Sequence, residues 1–168
     1  VHVTLRLVPR MWGLRRRKVM QAISRCFEAA AERFHTRLCK FSVQHNHIHL
    51  IVEAATSEWL SRAMQGLCTR LAIALNRLRG EHGQVFADRY HAHVLRTPTE
   101  VRHAVAYVLD NHRKHAREHG RAVSGPDWFS SAVWRICLPP TTWLLASARG
   151  VRRAPLSANS PARQRLLH

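Results

Sequence analysis

The stretch "QHNHIHLIVE" (residues 44–53) decides how the rest of the chain is read. Side chains of an extended strand alternate between two faces. His45, His47 and His49 therefore share one face, and Asn46, Ile48, Leu50 and Val52 share the other. The apolar set wants a hydrophobic partner such as a helix layer. The histidine set does not, and it is either a solvated sheet face in a chain with 13 histidines or a face that holds something. His47 and His49 would stand about 7 Å apart along the strand, close enough to converge on one metal ion.

Working outward, residues 37–44 carry Leu38, Phe41 and Val43 and predict a strand that forms a hairpin with the histidine strand. Val1, Val3, Leu5 and Leu7 alternate and predict a strand over 1–8, so the chain starts either inside its first element or at an alternative start. Residues 85–95 predict a fourth strand. Val19, Ile23, Phe27 and Ala30 recur at helical spacing within 16–34. Leu60, Met64, Leu67, Leu71, Leu75 and Leu78 line one face of a helix over 57–79, capped by Ser57 and stopped before Gly80. In "TPTE", Thr97 is an N-cap, Pro98 the first helical residue and Glu100 the far side of a capping box, so a third helix runs from 97 to 119. The order strand, helix, strand, strand, helix, strand, helix predicts an α+β fold of ferredoxin-like type. It has a four-stranded antiparallel sheet with helices packed on one face. Residues 1–120 form this domain. Residues 121–148, with Trp128, Phe129, Trp134 and Ile136, are a C-terminal extension, and residues 149–168 a basic tail whose Arg, Ala, Ser and Pro predict disorder.

The 168 residues, 46% of them apolar, suffice for one domain with a core. The formal net charge is +17, and although the last 28 residues carry five arginines and no acid, the remainder is basic too. Such a charge favours polyanions, with nucleic acid first and an anionic membrane surface second. No basic amphipathic helix stands out, no apolar run approaches the ~20 residues that span a bilayer, and the N-terminus lacks signal-peptide order. Cys26, Cys39, Cys68 and Cys137 are scattered, which argues against a zinc knuckle or a disulfide framework and for reduced thiols in a cytoplasmic, nucleoid-associated protein.

A metal-holding face needs more than two histidines. His91 and His93 form a rival pair, but the intervening Ala92 anchors its strand less firmly than Ile48 anchors the first. His103, Tyr107, Asn111 and His115 recur every four residues and form one stripe on the third helix. Tyr107 and Tyr90 are the two tyrosines of the chain. Glu53 is a candidate partner for a ligand histidine or a turn-facing carboxylate. For nucleic acid, Arg15, Arg16, Arg17 and Lys18 form a run before the first long helix, and Arg89, Arg96, Arg102, Arg113 and Lys114 surround the stripe. Trp12 can stack a base or pack under a loop.

"NHIHLIVE" resembles the histidine–hydrophobic–histidine strand of single-tyrosine transposases, and "AYVLDNHRKHA" resembles their catalytic helix, in which a Tyr is followed four residues later by Asn or Gln. "GQVFADRYHAHVL" is similar to the segment before that helix, and "HVTLRL" to the opening strand. The chain is similar, over roughly residues 1–118, to REP-associated tyrosine transposases and their IS200-like relatives. It departs from them where Asn111 is followed by His112 rather than Pro. The resemblance implies that Tyr107, on a helix opposite the H-x-H strand, attacks a phosphodiester of single-stranded DNA, giving a 5′-phosphotyrosine and a 3′-hydroxyl. It implies a divalent ion, Mg²⁺ or Mn²⁺, held by His47, His49 and Asn111, and hairpin-forming or REP-like DNA bound by a monomer or homodimer. A free phenol is mostly protonated at neutral pH and needs activation. Three other readings stand beside this one: a DNA-hairpin binder derived from such an enzyme, a replication initiator, for which the chain has no helicase domain, and a zinc hydrolase, for which it lacks ligand spacing.

Overall fold

The computed structural model describes residues 1–118, 120 and 122–147. Val3, Leu5 and Leu7 are all buried, and this alternation sets the opening strand β1 (His2–Arg6). β1 lies between β4 (His47–Ala54) and β5 (His91–His93), both antiparallel to it. β4 also pairs with β3 (Thr36–Val43), and a two-residue strand β2 (Glu32–Arg33) extends the far edge. The sheet is five-stranded, ordered β2-β3-β4-β1-β5. Without β2, the order of the remaining four is the ferredoxin-like one. The four-stranded expectation misses β2 because the first helix, α1 (Arg17–Ala30), ends four residues before the position at which its periodicity runs out. The residues released form a tight hairpin into β3.

Ile48, Leu50 and Val52 of β4 face a core shared with α1 and with α2 (Ser57–Arg79). The Phe27 and Phe41 rings meet there, 4.7 Å between centroids. Thr56, rather than Ser57, caps α2, its hydroxyl accepting from the Trp59 N–H. Gly80 ends that helix with φ of 67°, the left-handed conformation of a C-cap. Leu78 of the predicted apolar stripe is 41% exposed.

The expectation of helices on one face needs correcting. α3 (Pro98–Glu118) packs against the other face, where Ile51 and Cys39 join Val101, Val105 and Val108 in a second, smaller core. Ile51 is in phase with His47 and His49, so one half of the polar face is in fact apolar and requires a cover. α3 starts as predicted, with the Glu100 N–H donating to Thr97 Oγ1, although the Glu100 carboxylate reaches back to the Arg96 N–H.

Two further expectations change. His45 is not in the strand: it sits in the β3–β4 turn, where its carbonyl accepts from the N–H groups of Gly13 and Leu14 at 2.9 and 3.1 Å. The predicted strand over 85–95 is interrupted. Leu7 bridges Phe86 and Thr4 pairs with His91, so four residues stand on the later strand against two on β1, and Asp88 and Arg89 loop outward.

The extension is packed onto the domain. Val43 donates to the Phe129 carbonyl, Ser131 to that of Phe41 and Leu138 to that of Leu38, so this segment covers the outer edge of β3. An uncovered edge would offer unpaired backbone groups to another chain. A short helix α4 (Trp143–Ala146) adds Leu144 and Leu145 to the second core. The basic tail, 149–168, lies outside the described residues. None of the described helices is long and apolar enough to cross a membrane.

Candidate active site

The register of three strands builds the site. Thr4 stands opposite His49 on one side and His91 on the other, and His2 stands opposite Ile51 and His93. Directly paired residues share a face, so His2, Thr4, His47, His49, His91 and His93 all project from the face that α3 crosses. Both H-x-H pairs thus lie on one face, with β1 between them. The His47 and His49 rings lie 4.6 Å apart between centroids, nearer than the strand repeat because the rings incline toward each other.

α3 brings Tyr107 down onto this face. Its ring lies 5.2 Å from that of His49 and 6.0 Å from that of His2, edge-on to both. Tyr107 is 42% exposed, while His49 is buried at 4%. One turn further along the same side of α3, Asn111 is 2% exposed, and neither its amide oxygen nor its amide nitrogen has a hydrogen-bond partner among the described residues. Leaving a buried polar group unsatisfied is unfavourable, so Asn111 has capacity for a ligand. His112, where the related pattern has Pro, is buried with Nδ1 3.2 Å from the Leu109 carbonyl. The side chain of His115 lies outside the described residues, and His103 is exposed.

The ring nitrogens are oriented by neighbours. Asn46 Oδ1 lies 2.7 Å from His47 Nδ1 and can only accept, so Nδ1 carries the proton and Nε2 the lone pair. His49 Nδ1 lies 3.1 Å from His2 Nε2 and 3.2 Å from Thr4 Oγ1, which fixes the orientation of that ring. Burial, and next the adjacent His93, hold the His2 imidazolium below the usual histidine range, so His2 is a neutral partner at neutral pH. His2 and Thr4 escape a sequence search because no motif marks them. The signal for them is the polar phase of "HVTLRL", which the pairing of β1 with β4 places beside His49.

The other candidates separate. Arg15 is committed elsewhere: its guanidinium donates to both oxygens of the buried Asp127 at 2.9 and 2.7 Å and to the Val43 carbonyl, and it stacks over Phe129. This corrects its assignment to nucleic acid. Arg16, Arg17 and Lys18 are exposed at the start of α1, where no acidic residue occupies the first turn. Arg89 is exposed on the looped-out segment, Arg96 just before α3, and Arg113 and Lys114 near its end, with Arg113 3.5 Å from Asp110. Glu53 is neither a histidine partner nor turn-facing. It accepts from the N–H and hydroxyl groups of Thr141 and Thr142 and so anchors α4. Trp12 donates to the Leu7 carbonyl and leaves its ring 44% exposed. Among the described residues no three His, Cys, Asp or Glu side chains converge as a metal site.

A histidine pair on a ferredoxin-like sheet thus faces a tyrosine on a crossing helix. The chain belongs to the IS200-like transposase family, whose model matches residues 1–111. Its fold is similar to that of the REP-associated tyrosine transposase bound to a REP hairpin, with TM-score 0.55 and 18% identity, over 68% of this chain and 66% of that one. A candidate transposase from Deinococcus radiodurans R1 aligns with TM-score 0.48 and 13% identity, over 73% of this chain and 90% of that one. Among curated proteins none matches the chain in sequence.

Proposed function

We propose that this transposase-family protein nicks and rejoins single-stranded DNA through a covalent bond to Tyr107. The observation that carries the reading is the placement of the Tyr107 ring 5.2 Å from His49, on the face that also presents His47. Because that ring is partly open to solvent, an incoming strand can reach Oη without displacing core residues. As the Oη–P bond forms, the phenolic proton leaves. As the P–O3′ bond breaks, the departing oxygen takes up a proton. The product is a 5′-phosphotyrosine and a 3′-hydroxyl, and the phosphodiester bond energy is retained for rejoining without ATP.

His47 Nε2, His49 and the Asn111 amide oxygen fit a divalent ion, Mg²⁺ or Mn²⁺, with waters completing its shell. Such an ion would polarise and orient the scissile phosphate. Arg16, Arg17, Lys18, Arg89, Arg96, Arg113 and Lys114 supply phosphate contacts, and Arg15 stays with Asp127. The similar protein bound to a REP hairpin suggests hairpin-forming DNA as substrate.

A denaturing gel tests this reading. Protein, Mn²⁺ and a labelled pool of single-stranded hairpins should give a slow-migrating covalent band that EDTA abolishes. Salt-sensitive hairpin binding without any band would instead make the protein a hairpin binder.

A further inference from the structure

A second feature lies at the opposite end of the sheet. β2 and β3 are joined by a two-residue turn, with Arg33 paired to Thr36. The turn residues are Phe34 and His35, at φ of 53° and 51°. A turn with both central residues at positive φ suits Asn and Gly, and an aromatic side chain there is held against its backbone preference. Burial does not explain the choice, since Phe34 is 43% exposed.

The turn does assemble an aromatic surface. The Phe34 ring lies within 11° of parallel to that of Trp59, 6.4 Å between centroids, and the His35 ring lies 4.9 Å from Trp59. Guanidinium groups cover both: Arg62 lies 5.1 Å over the Trp59 ring and Arg33 5.8 Å over that of Phe34. Arg70 lines the same hollow, donating to the Gly66 carbonyl at 3.2 Å. Gly66 of α2 lies against both Arg70 and Phe34. None of Arg33, Arg62 and Arg70 forms an ion pair among the described residues. Of the nearby acids, Glu32 is engaged by Arg37, and Glu58 lies exposed in the first turn of α2.

We propose that this platform grips unpaired nucleotides flanking the cleavage site. The aromatic faces stack bases while Arg33, Arg62 and Arg70 take the adjoining phosphates. Aromatic rings interleaved with arginine, Phe34 43% exposed and Trp59 half-buried, are the chemistry of sequence-tolerant single-strand binding. The surrounding charge excludes a basic partner, and the bidentate geometry of guanidinium suits phosphate. Thr36 pairs with Ala54, at the far end of β4 from His47, and Phe34 and Trp59 lie on the face covered by α2, so a DNA strand held at both places passes around the sheet edge from the face that carries Tyr107. The inference rests on the reading of Tyr107 as a single-strand nickase, and it adds a second grip on the same DNA.

The test uses Phe34→Asn and Trp59→Ala in the full chain. Affinity for a ~30-nucleotide single strand is read by fluorescence anisotropy, and each variant is also melted. Asn accepts positive φ, so Phe34→Asn should melt at or above the wild-type temperature and yet bind about tenfold more weakly, the scale of one lost base stack. Trp59→Ala should also bind about tenfold more weakly. Strands carrying 5-iododeoxyuridine should photocrosslink to Phe34 or Trp59. Both variants should still form the Tyr107-linked band at saturating DNA. Wild-type affinity in both variants, with no crosslink at the turn, would overturn the platform while leaving the nickase reading intact. A wild-type protein that neither binds nor links single strands would overturn both.

Discussion

The Glu53→Gln substitution tests how the extension holds α3. Glu53 Oε2 accepts from the N–H and hydroxyl of Thr141, each at 2.9 Å, and Oε1 accepts from the Thr142 N–H at 2.8 Å and from its hydroxyl. These contacts fix the start of α4, whose Leu144 and Leu145 pack in the core beneath α3. Glutamine keeps the shape but presents an N–H₂ group to one of the two backbone N–H donors. The Thr hydroxyls can turn, but a backbone donor cannot. One charge-assisted pair is lost and one donor is left facing another, together about 2–3 kcal/mol. For a chain of this size that lowers the melting temperature by roughly 4–12 °C. The pH dependence gives a second check. Burial alone would raise the Glu53 pKa, but the four hydrogen bonds outweigh it and hold the carboxyl below the usual glutamate range. A folded pKa below the unfolded one gives stability that is complete above the unfolded value and lost as pH falls through the folded one. Thermal melts of both proteins from pH 7 into acid should therefore show a gap at neutral pH that closes as the pH falls through the lowered Glu53 pKa. Equal melting temperatures at pH 7, or a gap that persists undiminished in acid, would refute the anchoring role.

Three other expectations follow from the site and its supports. His47→Ala or His49→Ala should abolish the Mn²⁺-induced rise in melting temperature, and an unchanged rise would move the ion to His91 and His93. Asp127→Asn, which leaves Arg15 without its carboxylate, should destabilise the fold by about 2–3 kcal/mol in urea unfolding, less than the roughly 3–5 of a fully buried pair because the Arg15 side chain is 30% exposed. Deleting residues 149–168 removes five arginines. If all of these meet phosphates, the slope of log affinity against log salt should flatten by about 3.5 for single strands, and an unchanged slope would exclude the tail from binding.

Local rules carried much of the fold. The "TPTE" cap marks the start of α3 because capping depends on adjacent residues alone, and the leucine stripe marks α2 for the same reason. The H-x-H strand was legible because strand alternation separates its two faces. What escaped depends on distant partners. The charge run at Arg15 looks alike whether its partner is DNA or a carboxylate 112 positions away. His45 fits the strand pattern, yet the Gly13 and Leu14 N–H groups hold it in a turn. His2 and Thr4 gain their roles through sheet register, and Phe34 through a turn whose residues give no turn signal. Ile51, in phase with His47 and His49, is the residue of β4 that needs a helix over the histidine face.

The most direct test of the central claim is to locate the DNA attachment. Wild-type protein and Tyr107→Phe are each incubated with Mn²⁺ and single-stranded hairpin DNA, digested with nuclease and protease, and analysed by mass spectrometry. The proposed function predicts a nucleotide joined through its 5′-phosphate to the Tyr107 peptide, dependent on metal and absent from the Phe variant. An adduct on Tyr90, or one that survives Tyr107→Phe, would contradict the assignment of Tyr107 as the nucleophile.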